Sequence, residues 1–450
     1  MKDALMKFLT SLGLENELGL YLRLFKQSKP HKFAVIKISG ATLSENMGAV
    51  SDDLAFLSKL GLCPIVIHGG GKPIEEALKK KGIESKKING LRITDSDSIK
   101  IVSKVMDKLT TDLVSSINKK GGRAININDL GMIEVQKAIV DGVDLGFVAE
   151  VTNIHSDKIK ELCSSGHIPV LASLGKIKKS AYNINADILS NEIVKKIKPK
   201  KFILLTGTGG ILDKDGKIIS AIDIKYDLKG LIENKVINEG MLLKVQEIEK
   251  LLTHVPDTIV EICSPENLLK ELFTVKGSGT FVRYGGNFII KKNFSGLNTK
   301  KIKSLLEDSF GKILSDNYFD YPIDSIILEK DYSAIAIIKK FSGHYYLDKF
   351  AVSKNAQGNG LGKSVWCMIK KYYPSLIWRS TIENSINGWY FKNADGVQKN
   401  HQWVVFWYNM QPSITSSLVP AICNMPQTLT AKCDTLYLNQ NKNFNMVTKC

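Results

Sequence analysis

No stretch of this sequence is built to cross a bilayer. Its longest apolar runs, such as PIVI (64–67) and FILL (202–205), are strand-sized, against the roughly 18 residues a spanning helix needs, so no membrane partner is expected. Cysteine is scarce: seven residues, at 63, 163, 263, 367, 423, 433 and 450, with no CxxC pair and no matching Cys/His spacing. That pattern argues against a zinc site and a disulfide framework and favours a reducing compartment. No protein-held metal is expected. Aromatics make up 8% of the chain and do not interleave with its lysines, so the net charge of +17 forms no stacking, basic stripe. Nucleic-acid binding is therefore not expected. The lysine clusters VKKIKPKKF (194–202) and KKNFSGLNTKKIK (291–303) read as solvated surface, and anionic small substrates suit the same charge balance. There is no internal repeat. The opening MKDALMKFLTSLGLENELGLYLRLF carries Asp3, Glu15 and Glu17, which fits neither a secretion signal nor an acid-poor transit peptide. A cytoplasmic location is expected, with the mitochondrial matrix left open for a eukaryotic chain.

What is present is a long, ordinary globular composition, 450 residues with 44% hydrophobic and 24% charged, too long for one domain. From 33 to about 285, short apolar strands alternate with helical stretches: FAVIKIS, PIVIHGGG then KPIEEALKKKG, IPVLASLG and FILLTGTGGIL. This alternation predicts an α/β fold, a mostly parallel sheet between helices, closed by KGSGT (276–280). Residues 286 to about 410 predict an α+β unit: a helix (LNTKKIKSLLEDSFG), strands SIILEKD, SAIAIIKK and YYLDKFAV, a loop and helix, then SLIWRS and WVVFWYN. The expected organisation is an N-terminal helix (1–30), domains at 31–285 and 286–410, and an unassigned, weakly structured tail (411–450).

Two glycine loops carry the chemistry. In FAVIKISG, Lys37 interrupts an apolar strand just before Gly40; a charge there is costly unless an anion meets it. HGGGK places Gly69 and Gly70 between a strand and a helix start, where free N–H groups face anions. It is not a P-loop, because no Gly-Lys-Ser/Thr follows. NGLRIT holds Arg92, whose guanidinium suits carboxylates; NINAD holds Asn183, Asn185 and Asp187; EGMLLKVQE holds Lys244. Singly, each is more often surface or structure than catalysis.

Together and in this order, they resemble the amino-acid kinase fold of the N-acetylglutamate kinases, across about 33 to 285. The resemblance implies that Lys37 and Lys244 flank a transferring phosphoryl group, that Asp187 orients both, and that Gly40, Gly69 and Gly70 supply backbone donors. Arg92 and Asn183 would hold N-acetylglutamate, and Mg-ATP would lie near TGTGG (206–210). Gly207 stands where many plain kinases carry an acidic residue. The start of the chain, with Tyr21, and ELFTVKGSGT, with Glu271, Gly277 and Gly279, resemble the L-arginine-binding parts of regulated members. The plain alternative is an oligomerisation helix and a domain-closing turn.

The second loop, FAVSKNAQGNGLGKSVW (350–366), resembles the acyl-CoA cradle of the Gcn5-related acetyltransferases. Gln357, Gly358, Gly360, Gly362 and Lys363 would meet the pyrophosphate, and the strand Phe350, Ala351, Val352 the pantetheine arm. With LDKFAV and WRSTIENSINGWYFKNADG, residues 33 to 410 resemble the kinase-fused N-acetylglutamate synthases. Lys349, Arg379 and Asn384 would then hold L-glutamate. Tyr390 would serve as general acid to the CoA thiolate, with Trp389 and Phe391 in an aromatic core and Cys367 merely packed. The implied function is acetyl transfer from acetyl-CoA to L-glutamate, giving N-acetyl-L-glutamate, joined to ATP-dependent phosphorylation of that product in a homo-oligomer, commonly a tetramer. An acetyltransferase with a kinase-like scaffold, or a non-catalytic arginine sensor, are the alternatives.

Overall fold

The computed structural model describes residues 29–431 apart from 89–90, 238, 274–277, 355 and 358–359, with nothing stated for the side chains at 87 and 239–241. The expected N-terminal helix and its Tyr21, as well as Gly277 and Gly358, lie outside the described residues. The chain divides into two compact units at Gly285/Gly286.

In the first unit the described residues form an eight-stranded sheet, ordered Ala221–Asp223, Thr280–Arg283, Ile259–Cys263, Lys201–Leu205, Ala34–Ile38, Ile65–His68, Ile168–Ala172, Ala124–Asn126. All neighbours are parallel except Ile259–Cys263 with Thr280–Arg283. Strand side chains alternate between faces, and the core follows that period. Val35 packs in one cluster with Ile193 and Val194 of the helix Ala186–Ile197 and Leu251 of Glu239–His254. Ala34, Ile36 and Ile38 pack in another with Leu43 and Leu54 of Gly40–Lys59 and Leu113 of Ser96–Lys119. The sheet is thus covered on both faces, as its run of parallel strands requires. Lys37 shares the parity of Val35, so it points to the face that Ala186–Ile197 covers. A second, four-stranded sheet (Ile133–Val140, Val143–Ile154, Ser180–Asn183, Leu174–Ile177) leads into that same helix.

The second unit is built on a seven-stranded sheet, ordered Phe288–Lys291, Ser325–Glu329, Ala334–Phe341, His344–Val352, Leu376–Thr381, Trp403–Tyr408, Gly396–Lys399. Its pairs are antiparallel except His344–Val352 with Leu376–Thr381, which register only at Tyr346↔Ile377. Between Ala334–Phe341 and His344–Val352 the register shifts, Ile337 opposing Lys349 and Ile338 opposing Leu347. Asp348 is the extra residue of this bulge.

The tail is the clearest departure from expectation. Residues 411–431 are folded: Pro412–Cys423 is a helix and Leu429–Ala431 pairs with Lys312–Leu314. Leu418, Val419 and Ile422 of that helix bury against Tyr346, Ile377 and Val405 of the sheet. Ile414, Leu418, Val419 and Ile422 recur at helical spacing, but in a single short helix interrupted by Pro420 the periodic signal is faint, and tertiary burial carries it. None of the helices among the described residues is long and apolar enough to cross a membrane.

Candidate active sites

The first site forms where three helices begin. Gly40 opens one helix behind Ser39, whose Oγ accepts from the Thr42 N–H at 3.2 Å. Gly71 opens the second, and Ala186 the third, capped by Asn185, whose Oδ1 accepts from the N–H groups of Asp187 (2.8 Å) and Ile188 (3.2 Å). The loops touch through missing side chains: a Cβ on Gly40 would lie 2.6 Å from the Gly70 Cα and carbonyl carbon, and one on Gly69 would lie 3.3 Å from the Ala186 Cβ. Convergent helix N-termini present unpaired N–H groups and positive dipole ends, the requirement of a polyphosphate cradle. Lys37 Nζ stands there, 2.7 Å from Asp187 Oδ1. Asp187 is mostly exposed while Lys37 is mostly enclosed, so the pair lies at the rim of the sheet's carboxyl edge, where ligands of open α/β sheets bind.

Lys244 lies exposed on Glu239–His254, a helix packed on Ala186–Ile197. It makes no ion pair with Asp187, which holds Lys37 alone of the two lysines. In this arrangement the pairing of Asp187 is with Lys37, and Lys244 is carried on the neighbouring helix. Arg92 is buried, donating to Ser85 Oγ, to Glu75 Oε1 at 3.1 Å and to the Gly71 carbonyl at 3.4 Å. Its fork is already engaged with a carboxylate beside the second helix start. Asn183, half-buried, ends the strand two residues before the Asn185 cap. Beyond the strand Lys201–Leu205, Thr208 Oγ1 donates to the Gly210 carbonyl at 3.2 Å, and a side chain on Gly207 would meet open space.

His68, at the strand end before the glycines, escaped the sequence reading. It is fully buried, with Nε2 2.9 Å from Thr110 Oγ1 and Nδ1 3.2 Å from the Gly69 carbonyl. Burial pushes its pKa down to about 4, against a smaller upward pull from the Gly69 carbonyl. A neutral imidazole thus braces the glycine loop. Glu271 and Gly279 also meet: Glu271 Oε1 accepts from the Gly279 N–H at 3.0 Å and from the Ser278 N–H. Buried Lys201 joins Glu261 at 3.1 Å and donates to the Glu271 carbonyl.

In the second unit, Lys349, Arg379, Asn384, Tyr390 and Phe350 line one cavity of about 500 Å³. Tyr390 is buried among Trp378, Phe406 and Trp389, with ring centroids at 5.4, 5.4 and 5.7 Å. Burial pushes its phenol pKa well up. Trp389 stacks on Phe350 at 5.8 Å, and Phe391, though 43% exposed, sets its ring edge-on to buried Phe406 at 5.1 Å, at the margin of the aromatic cluster. Asn384 Nδ2 donates to Ser380 Oγ at 2.9 Å. Arg379 stacks 4.1 Å over Trp403 and donates to backbone carbonyls of Ile422 (2.6 Å), Cys423 (3.3 Å), Met425 (2.9 Å) and Pro426 (3.0 Å). Most of its donors thus serve the end of the helix Pro412–Cys423.

Lys349 is buried, and its Nζ donates to Asp348 Oδ2 (3.0 Å), the Asp348 carbonyl (3.2 Å) and Thr428 Oγ1 (2.8 Å). Asp348 also meets Lys339 at 3.2 Å and accepts from the Tyr318 hydroxyl at 2.6 Å. Burial pushes the Asp348 carboxyl up, but Lys349, Lys339 and that hydroxyl outweigh it and leave it below the usual range. Neither Asp348 nor Thr428 was legible in the sequence, since the bulge and the folded tail create their positions.

The cradle loop comes directly after this strand. Phe350, Ala351 and Val352 pair with Ala334–Phe341 on one edge, and on the other no ladder continues past Tyr346. That opens backbone groups to an extended ligand. Gln357 Nε2 donates to the Val352 carbonyl at 3.1 Å. Gly360, left-handed at φ 73°, starts the helix Leu361–Tyr372, with Gly362 and Lys363 in its first turn, a phosphate-facing N-terminus. Cys367 is half-buried on that helix.

The Amino acid kinase family model matches residues 32–260. The chain belongs to this family. A second model, the N-acetyltransferase of N-acetylglutamate synthase, matches residues 289–423, so the architecture is that of the kinase-fused N-acetylglutamate synthases. The chain is 38% identical over 394 residues to the acetylglutamate kinase of Xylella fastidiosa (strain 9a5c), covering 87% of this chain and 93% of that protein. It is 30% identical over 431 residues to Protein ARG5,6, mitochondrial, of Candida albicans, covering 93% of this chain and 50% of that one. Its fold resembles N-acetylglutamate synthase from Neisseria gonorrhoeae complexed with coenzyme A and N-acetyl-glutamate, with TM-score 0.59 and 19% identity, covering 88% and 98% of the two chains.

Proposed function

We propose that the chain is a bifunctional enzyme of arginine biosynthesis. It acetylates L-glutamate with acetyl-CoA, phosphorylates the resulting N-acetyl-L-glutamate with ATP, and answers to L-arginine. The observation that carries this reading is the single cavity uniting Lys349, Arg379, Asn384 and Tyr390 beside the cradle loop. There the neutral glutamate amine attacks the thioester carbonyl, a C–N bond forms, and the C–S bond then breaks. The adduct's nitrogen sheds its extra proton as the thiolate gains one. Tyr390, kept protonated by burial, donates to the sulfur where charge develops. Lys349 and Arg379 supply the cationic side for the substrate carboxylates, and Asn384 a polar contact beside them.

At the other site, transfer of a phosphoryl group to a carboxylate needs position and charge neutralisation rather than a nucleophilic side chain. Lys37, held by Asp187, and the N–H groups around Gly40, Gly69 and Gly70 supply both, with Lys244 swinging in from its helix. Arg92 and Asn183 would orient the acetylglutamate, and Mg²⁺ would ride on the ATP phosphates. Arginine would act through Tyr21, Glu271, Gly277 and Gly279 in a homotetramer, in the cytoplasm or the mitochondrial matrix. Light scattering tests the tetramer, and rates at saturating arginine test the control.

Gly207 and the exposed Lys244 favour a second reading, in which the first unit only senses arginine. Mass spectrometry after incubation with glutamate, acetyl-CoA and Mg-ATP separates the two. Acetylglutamate with its acyl phosphate supports the first, acetylglutamate alone supports the second, and neither product overturns both.

A further inference from the structure

The family match ends at residue 423, yet the second cavity is closed by residues C-terminal to it: Gln427, Thr428 and Leu429 line its wall. This short strap is tied at both ends. At one, Arg379 gathers the carbonyls of Ile422, Cys423, Met425 and Pro426. At the other, the Ser315 N–H donates to the Thr428 carbonyl at 3.0 Å, and Leu429–Ala431 pairs with Lys312–Leu314. Thr428 is therefore held in place independently of any ligand.

The lysine it touches has three N–H donors, and all three are used: Asp348 Oδ2, the Asp348 carbonyl and Thr428 Oγ1. The two Asp348 acceptors are fixed by the bulge, with Oδ2 further committed to Lys339 and the Tyr318 hydroxyl. A substrate carboxylate must therefore reach Lys349 through the third partner or replace it. Thr428 suits that place. Its oxygen accepts from the ammonium, which leaves its own hydrogen, with no acceptor among the described residues, free to turn toward a ligand in the cavity that Thr428 lines. A hydroxyl polarised by a cation is a strong donor to a carboxylate.

Resting on the acetyl-transfer reading above, we propose that Thr428 is a positioning residue for the acceptor amino acid, coupling Lys349 to a substrate carboxylate, and that Arg379 holds the strap that presents it. The test is steady-state CoA release by the full chain with glutamate and acetyl-CoA varied separately. Thr428→Val is expected to raise KM for glutamate roughly tenfold, the effect of one lost charge-assisted hydrogen bond, with KM for acetyl-CoA unchanged. Thr428→Ser is expected to restore it. An unchanged glutamate KM in the valine variant, an equal rise in both KM values, or failure of serine to restore would overturn the proposal. The clamp is read without turnover: Arg379→Ala should speed amide hydrogen exchange at 424–431 in the ligand-free enzyme, and unchanged exchange would remove that half. Wild-type protein that releases no CoA with glutamate would overturn the acetyl-transfer reading itself, a result distinct from any of these.

Discussion

At the scale of single residues, the functional groups are those whose placement costs something. Lys37 was legible because a cation in an apolar strand demands a partner, and Asp187 is that partner at 2.7 Å. Lys37→Ala should lower acetylglutamate phosphorylation by roughly 10²–10³-fold, as loss of a preorganised charge does, and leave CoA release intact. Tyr390→Phe should do the reverse, lowering acetyl transfer by about 10²-fold. Coupled phosphorylation and thiol-release assays on both variants check this, and loss of both activities in either folded variant would defeat the two-site reading. His68 was invisible, because a histidine before glycines reads as part of the loop. Its folded pKa of about 4 lies below the unfolded value, so the unfolded chain binds the proton more readily. The stability it contributes is present above about pH 6.5 and lost as pH falls towards 4, a swing of at most about 3 kcal/mol. Urea midpoints between pH 7 and 4 should therefore fall less steeply in His68→Gln than in the wild type. Parallel slopes would exclude His68 as a source of acid sensitivity.

At the scale of elements, loops of similar composition differ by what surrounds them. Gly40 and Gly71 each open a helix and look equivalent in sequence. A Cβ on Gly40 would press on backbone atoms of Gly70 at 2.6 Å, whereas one on Gly71 meets nothing within 4 Å. Backbone cannot rotate aside as a side chain can, so Gly40→Ala must part the two helix starts. It should cost about 1–3 kcal/mol and abolish phosphorylation. Gly71→Ala should leave the thermal midpoint nearly unchanged. Thermal scans and kinase assays of the pair decide it, and equal behaviour would show that close packing of the loops is not what the glycines serve. The strand–helix alternation and both cradles could be read from hydrophobic period and glycine placement. The bulge that sets Asp348 could not, because Ala334–Phe341 opens on five buried apolar residues and so offers no alternation against which the register shift between Ile337 and Ile338 could be read.

At the scale of the whole molecule, the least legible part bears most on the second site. Residues 411–431 lack a strong period, yet they bury Leu418, Val419 and Ile422, give Arg379 its carbonyl partners, and give Lys349 its third acceptor. Three buried aliphatic side chains at roughly 1.5–3 kcal/mol each amount to a large share of the 5–15 kcal/mol that typically holds a domain. Ending the chain after Met410 should therefore destabilise the second unit and abolish acetyl transfer. The first unit has its own two-faced core and its own cradle, with no side chain drawn from 411–431 among its core clusters. Phosphorylation of supplied acetylglutamate should consequently survive the truncation, and calorimetry should retain the first unit's transition while the second's moves down or vanishes. Loss of phosphorylation together with acetyl transfer would mean that the kinase unit depends on an intact neighbour. Retention of acetyl transfer would mean that Lys349 and Arg379 work without the segment that now holds them.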